Sequence, residues 1–367
     1  MSVFRTHVLL PVDEGTVMAG VFEVKRRLER ELKARKLQDE IKVLESGSVG
    51  IVGKGVILIL YPDRIYYFNL HEDDVPRIIE DHLLKGRVVA GLAHAPVASM
   101  TADKGARVGL TREQRRVVLD KAWTVDPENI DDVLAAGGYQ GLEKIFTDKI
   151  TPEAVIEEIK KSGLRGRGGA GFPTGMKWEF TRKAVGTEKY IICNADEGEP
   201  GTFKDRLILE GDPHRLIEAL TIAGYAIGAG RGYVYVRGEY ELSIERLHKA
   251  ITQARAYGLL GENILESGFS FELEIKKGAG AYVCGEETAL IESLEGRRGN
   301  PRVKPPYPVT HGLWRKPTAV NNVETLANVP AIVANGSGWF RKIGSDMCPG
   351  TKVFTILGHV EYPGLIE

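Results

Sequence analysis

The densest chemistry in the sequence lies in Ser162-Gly-Leu-Arg-Gly-Arg-Gly-Gly-Ala-Gly-Phe-Pro-Thr-Gly-Met-Lys-Trp178, with six glycines between positions 163 and 175. Without a Cβ at Gly166, Gly168, Gly169 and Gly171, backbone N–H groups can approach an anion closely, and Arg165, Arg167 and Lys177 add positive charge. The pattern is that of a phosphate-holding loop; a structural glycine-rich turn is the competing reading. Gly166, Gly168 and Gly171 spell G-x-G-x-x-G, but the dinucleotide fingerprint needs a strand before it. Here a helix precedes: Thr151 reads as N-cap, Pro152 as the first helical residue and Gly163 as the stop. The loop contains no Gly-x-x-x-x-Gly-Lys-Ser/Thr, which excludes a P-loop.

Four further motifs carry polar groups in a ligand-binding pattern. Asn194-Ala-Asp-Glu-Gly-Glu-Pro-Gly201 follows an apolar strand, and ligands bind at the carboxyl ends of strands in α/β sheets. Asn194, Asp196, Glu197 and Glu199 would project there and accept hydrogen bonds from ribose hydroxyls, an adenine amine or a ring N–H. A solvated acidic turn is the alternative. Gly278-Ala-Gly-Ala-Tyr-Val-Cys-Gly-Glu-Glu-Thr-Ala289 runs into a helix reaching about Glu295. Its Gly285-Glu286-Glu287 stands where unpaired N–H groups favour a ligand carbonyl or anion. Cys284, with no histidine near it in sequence, reads as a buried small side chain rather than a nucleophile. In Lys304-Pro-Pro-Tyr-Pro308 the prolines suggest a polyproline-like segment presenting Lys304 and Tyr307. In Val320-Asn-Asn-Val-Glu-Thr325, Asn321 and Asn322 are ligand groups or helix caps. Together these motifs propose a ligand with phosphate, ribose and a flat polar ring, in a pocket without a local acid–base dyad. That suits a redox cofactor carrying its own reactivity.

The elements that must position these motifs alternate. From Thr151 onward, strands are expected at 190–193, 232–237 and 271–275, with a helix over 242–256, an α/β arrangement. The N-terminal stretch predicts a strand at 7–12, a turn through Gly15 and a helix over 21–37 with Val21, Val24, Leu28 and Leu32 as its buried stripe. A strand at 41–45, a hairpin of 56–61 and 65–70 turned at Pro62-Asp63, and a helix over 74–84 follow. The order β-α-β-β-β-α is that of a thioredoxin-like unit. Residues 93–111 read as an Ala/Gly/Ser-rich linker, 127–146 as mostly helical, and 351–360 as the start of a further strand pattern.

Composition removes several function classes. Lys plus Arg (49) nearly cancel Asp plus Glu (50), so no global field points to nucleic acid or an anionic membrane. No apolar run has the length of a membrane span, and a cytoplasmic protein, soluble or peripheral on a membrane complex, is expected. Cys193, Cys284 and Cys348 stand far apart, with no close pair for zinc or an iron–sulfur cluster, so no metal ligand set is expected.

The motifs starting at Ser162, Asn194, Gly278 and Asn321, in order, resemble the NADH-binding flavoprotein (51 kDa-type) subunit of respiratory complex I and its soluble relatives in NAD-linked hydrogenases and formate dehydrogenases. The likeness runs from about Gln114 to Glu367, and the segment from Asp126 to Tyr139 is closer to the soluble relatives. The resemblance implies a Rossmann-like domain holding FMN through Gly166, Arg167, Gly168, Gly169, Gly171, Lys177, Asn194, Asp196, Glu197, Tyr282, Gly285, Glu286, Val320, Asn321, Asn322 and Thr325. It implies NAD(H) contacts at Phe172, Lys177, Phe180, Glu199, Glu287, Lys304 and Tyr307, with Glu199 positioning the nicotinamide. Position 307 is usually phenylalanine in the family; tyrosine keeps the stacking face. Hydride would pass from NADH to FMN, and electrons onward to iron–sulfur subunits of a larger complex, among them a thioredoxin-like 2Fe–2S subunit; NAD reduction is the reverse direction. No catalytic side chain is implied.

The N-terminal unit resembles the thioredoxin-like 2Fe–2S domain of the soluble subunits. The stretches matching its cluster loops, Val12-Asp-Glu-Gly-Thr-Val-Met18 and Gly47-Ser-Val-Gly-Ile-Val52, contain no cysteine, so a cluster-free scaffold is expected. The expected domains are 1–92, thioredoxin-like; 93–150, linker and helices; 151–345, FMN/NADH-binding; and 346–367, the incomplete start of a β-grasp-like domain. A non-catalytic or degenerate assembly subunit is the competing function.

Overall fold

The computed structural model describes residues 4–63, 65–93, 114–360 and 363–367. They form two compact units. One is drawn from Met1–Gln114, Ala122–Asp126 and Thr355–Ile366, the other from Arg115–Lys121, Pro127–Phe354 and Glu367. The expected linker at 93–111 lies almost wholly outside the described residues.

In the first unit, β1 (Thr6–Pro11), α1 (Glu14–Met18), α2 (Val21–Ala34), β2 (Ile41–Ser46), β3 (Leu58–Tyr61) and β4 (Ile65–Tyr67) follow one another. The sheet order is β2-β1-β3-β4. β1 runs parallel to β2 and antiparallel to β3, and β3 and β4 form the hairpin. α2 buries Val21, Val24, Leu28 and Leu32, the expected stripe. It ends three residues earlier than expected because Lys36 turns left-handed (φ 57) and Leu37 N–H bonds back to Leu32 O (2.9 Å). The turn expected at Gly15 is the short helix α1: Asp13 and Thr16 form a reciprocal cap with both bonds at 2.9 Å. After β4, α3 (Val75–Arg77) continues as a π-helix over Ile78–Leu84. The short strands Phe354–Ile356 and Gly364–Ile366 pair with each other, and Leu365 N–H also bonds Gly50 O.

The second unit is built on four parallel strands: β5 (Tyr190–Ala195), β6 (Arg231–Val236), β7 (Glu272–Lys277) and β8 (Thr318–Asn322). Their spatial order, β7-β6-β5-β8, reverses direction between β5 and β8. In doubly wound sheets such a switch opens a crevice at the carboxyl ends of the two strands. β5, β6 and β7 fall within two residues of the expected strands. β8 was expected as no more than ligand groups or caps: Thr-Ala-Val-Asn-Asn is short and does not alternate.

Helices cover the sheet. α9 (Pro213–Ile227) packs on β5 and β6, and α10 (Glu241–Ala256) on α9 and β7. α6 (Pro152–Ser162) has the expected Thr151 cap, Pro152 start and left-handed Gly163 stop. α7 (Thr174–Lys183) packs against it where Gly175 meets Lys160. Ahead of them, α4 (Ile130–Ala135) and α5 (Gln140–Thr147) fulfil the expectation of helix over 127–146. They are anchored by buried Glu218 of α9, which accepts from the N–H groups of Tyr139 (2.9 Å), Gly141 (2.9 Å) and Leu142 (3.2 Å).

Candidate functional site

The site stands at the reversal of strand order. Asn194, near the end of β5, is in register with Asn322 at the end of β8. A cavity of about 560 Å3 opens there and adjoins a second of about 570 Å3, the two sharing Gly168, Asn194, Gly285, Glu286 and Asn322 as walls. The first takes in Gly166, Gly171, Phe172, Lys177, Phe180, Glu287, Lys304, Tyr307, Val320, Asn321 and Thr325; the second Arg167, Asp196, Glu197, Glu199 and Tyr282. Gly169, between Gly168 and Ala170 of the same loop, is the single expected contact on neither wall.

The glycine loop is closed at its base by Gly166 N–H to Phe172 O (2.9 Å) and Arg165 Nη1 to Gly171 O (3.0 Å). At its tip the N–H groups of Gly168, Gly169, Ala170 and Gly171 donate to no acceptor among the described residues. Gly169 (φ 119) and Gly171 (φ 65) take conformations that L side chains resist. A Cβ on Gly168 would stand 2.9 Å from Asn322 Cβ, so the loop lies directly on the end of β8. Four free amides in a turn of this kind make an anion cradle.

Arg167 departs from expectation. Its guanidinium does not add charge to the cradle but turns inward, donating to the carbonyls of Arg165 (2.8 Å), Pro349 (2.9 Å) and Thr351 (3.2 Å). Its backbone N–H meets Thr325 Oγ1 (2.8 Å). Positive charge at the cavity comes instead from Lys177, which donates to Val320 O (2.9 Å) and Glu287 (3.3 Å), and from Lys304.

The start of α11 (Glu287–Leu294) also differs. Glu286 is its N-cap and accepts from the N–H groups of Thr288 (2.8 Å) and Ala289 (3.0 Å), filling the place expected for a ligand anion. Lys304 Nζ reaches Glu286 (2.8 Å) and Glu287 (3.1 Å). Burial would raise the Glu286 carboxyl, but Lys304, Thr288 and the helix amides hold it below the usual range. The run bends at 304–306 rather than forming a polyproline-like rod. It nonetheless leaves Tyr307 exposed on the cavity wall, with Phe172 and Phe180. Cys284 is buried, as expected.

In the loop after β5, Asn194 Nδ2 donates to Gly285 O (2.8 Å), and Tyr282 Oη to Glu199 Oε2 (2.6 Å). Glu197 is on the cavity wall, but its carboxylate is taken up by a helix start. Its buried carboxylate accepts from the N–H groups of Asp205 (3.1 Å) and Arg206 (3.2 Å) and from Tyr240 Oη (3.2 Å), fixing the start of α8 (Lys204–Gly211). Burial, and then neighbouring Asp205, push Glu197 up to about 7. Asp196 is pushed to about 6 by burial, against the pull of Arg237 at 4.0 Å; its Oδ2 is buried without a partner.

Lys204, Asp205 and Glu324 were not singled out from the sequence, yet they lock two motifs together. Lys204 Nζ pairs with Asp205 (2.7 Å) and Glu324 (3.0 Å), while Asp205 accepts from Asn322 Nδ2 (2.6 Å). Burial alone would lower the Lys204 amine, but the two carboxylates raise it above the usual lysine range. The available signal was Glu324, a lone charge in the apolar run from Val323 to Pro330. Asn321 accepts from Trp178 Nε1 (2.9 Å), and Asn322 caps the helix Val323–Ala327 by accepting from Thr325 N–H (3.4 Å).

This arrangement defines a doubly wound α/β protein with an anion cradle, amide donors and exposed aromatic faces at its switch point. Residues 159–331 match the Nuo51 FMN-binding domain, and over them the chain is similar to 51 kDa-type flavoproteins. It is 57% identical over 256 residues, 70% of its length, to the NADP-reducing hydrogenase subunit HndC of Solidesulfovibrio fructosivorans, of which it covers 52%. It is 55% identical over 251 residues, 68% of its length, to the F subunit of NADH-quinone oxidoreductase in Aquifex aeolicus, of which it covers 58%. The chain thus spans little more than half the length of these relatives. Among solved structures, 99% of it aligns with 58% of a chain of NAD+-reducing [NiFe]-hydrogenase in the H2-reduced state, at 33% identity and a TM-score of 0.59.

The residues fit FMN on their own chemistry. The four free amides suit a phosphate, the unpartnered Asp196 Oδ2 and the Asn194 and Asn322 amides suit ring and ribitol polar atoms, and the joined cavities accommodate a flat ring.

Proposed function

We propose that the second unit binds FMN at the β5/β8 crevice and NADH beside it, and serves as an NADH:acceptor oxidoreductase module of a larger complex. The observation carrying this reading is the run of unpaired amides at 168–171 lying on the end of β8. When bound, FMN supplies the hydride acceptor and releases electrons singly to iron–sulfur carriers. In this reading the loop amides hold the phosphate, and Asn194, Asp196, Tyr282, Val320 and Asn322 surround the ring system. Lys177, Glu287, Lys304, Phe172, Phe180 and Tyr307 bind the dinucleotide, and Glu199 orients its nicotinamide. Glu197, Arg167, Glu286, Asn321 and Thr325 act one step back, by fixing loops and helix starts. The redox chemistry would be the flavin's own, and the residues named here would bind and orient the two groups.

The first unit is proposed to be a thioredoxin-like scaffold, supported by its β2-β1-β3-β4 order and by the residues in its loops. Where cluster thiolates would stand, 12–18 forms capped α1 and 47–52 bonds the strand Gly364–Ile366 through Gly50. Residues 346–367 are proposed as the start of a β-grasp-like domain, and partners as iron–sulfur subunits, a thioredoxin-like 2Fe–2S protein among them. Among the described residues no helix is long and apolar enough to cross a membrane, and a cytoplasmic location accords with this. Reconstituting the chain with FMN and measuring retained flavin tests the central assignment. Stoichiometric flavin is expected, and failure to retain any would favour a non-catalytic assembly role.

A further inference from the structure

We infer that Arg302 is the positioning residue that holds the strap 297–307 on the cavity wall, and with it Lys304 and Tyr307. Its backbone N–H donates to Thr288 Oγ1 (2.8 Å) on α11, and its Nη1 to Gly312 O (2.8 Å) beyond the strap. The same guanidinium pairs with Glu292 through Nε and with Glu295 through Nη2 (2.8 Å). One planar fork therefore joins α11, the strap and the 312–315 turn.

The turn needs such support. Trp314 (φ 46) and Arg315 (φ 59) are both left-handed, a conformation costly for bulky side chains. Glu295, paired with Arg302, also accepts from Trp314 N–H (2.6 Å). Tyr307 lies between the two anchors at 302 and 312, and Lys304 reaches the α11 cap two residues after the first. A built-in control sits alongside. Arg297 pairs with the same two carboxylates but is more exposed (58% against 23%) and bonds neither Thr288 nor Gly312. Lysine at 302 would present one ammonium, unable to hold Glu292 and Gly312 together.

What the strap contacts rests on the NADH reading; that Arg302 holds the strap does not. The test compares the full chain with R302Q, R302K and R297Q by amide hydrogen exchange of 299–307 without ligand, and by affinity for FMN and for ADP-ribose. R302Q is expected to speed exchange in the strap and weaken ADP-ribose roughly 10-fold, about 1.4 kcal/mol, with FMN affinity within about 2-fold. R302K should fall between R302Q and the parent, and R297Q should match the parent. Unchanged strap exchange in both Arg302 variants, or equal effects of R297Q and R302Q, would overturn the inference; so would equal loss of FMN and ADP-ribose, the mark of a general folding defect. If R302Q does not fold, R302K alone decides by the same readouts. Should the parent chain bind no ADP-ribose, the NADH reading fails, while the exchange comparison still decides Arg302.

Discussion

At Asp196, in the loop that follows β5, the carboxylate has a buried, unpartnered Oδ2, with Arg237 only at the limit of ion pairing (4.0 Å). Its affinity for a proton is raised to about 6, and that of Glu197 to about 7. A raised carboxyl means that the folded chain binds more protons than the unfolded one. The resulting stability is present at acid pH and is lost as pH rises from the ordinary carboxylate range through about 6 to 7. The ligand-free D196N variant should therefore gain on the parent by roughly 1–2 kcal/mol between about pH 5 and pH 7.5, read by thermal unfolding at both. Parallel pH dependence in the two proteins would exclude the assignment. Glu199, exposed and bonded only by Tyr282 among the described side chains, is proposed to face the dinucleotide. E199Q should weaken NADH binding by roughly 10-fold and FMN by less than about 2-fold, and equal losses would refute that role. Residue types were legible in the sequence at all these positions, but the directions of the side chains were not. Arg167, Glu197 and Glu286 stand inside ligand motifs and serve the backbone, because a loop end or helix start nearby offers unpaired groups that each can satisfy.

The glycines of 163–175 divide by what they touch, so two elements can be tested separately. A Cβ at Gly175 would fall 2.5 Å from Lys160 Cγ and 2.7 Å from Lys160 N, in the contact of α6 with α7. G175A should cost roughly 1–3 kcal/mol of stability. G168A meets Asn322 Cβ at 2.9 Å instead and should chiefly weaken FMN retention, about 10-fold or more, with a smaller shift in unfolding. Flavin fluorescence and calorimetry together separate the two; identical profiles would show the loop to be a structural turn. Capping and amphipathic signals placed α6 and α2 well, since those elements are governed by local physics. β8 was hidden because its five residues become a strand only by pairing with β5, and β5 becomes the switch strand only once β8 stands beside it.

Across the whole chain, the two units differ in the chemistry that their residues support. The second brings every expected cofactor contact except Gly169 onto one pair of joined cavities, whereas the loops of the first at 12–18 and 47–52 hold no thiolate. Chemical reconstitution with iron and sulfide should leave no bound 2Fe–2S cluster, and a stoichiometric cluster spectrum would contradict the scaffold reading. The most direct test of the central claim is an anaerobic titration of the FMN-loaded chain with NADH, followed in the flavin's visible absorption band. The account predicts stoichiometric bleaching that reverses on adding an artificial electron acceptor. A bound flavin that NADH leaves unbleached would contradict it.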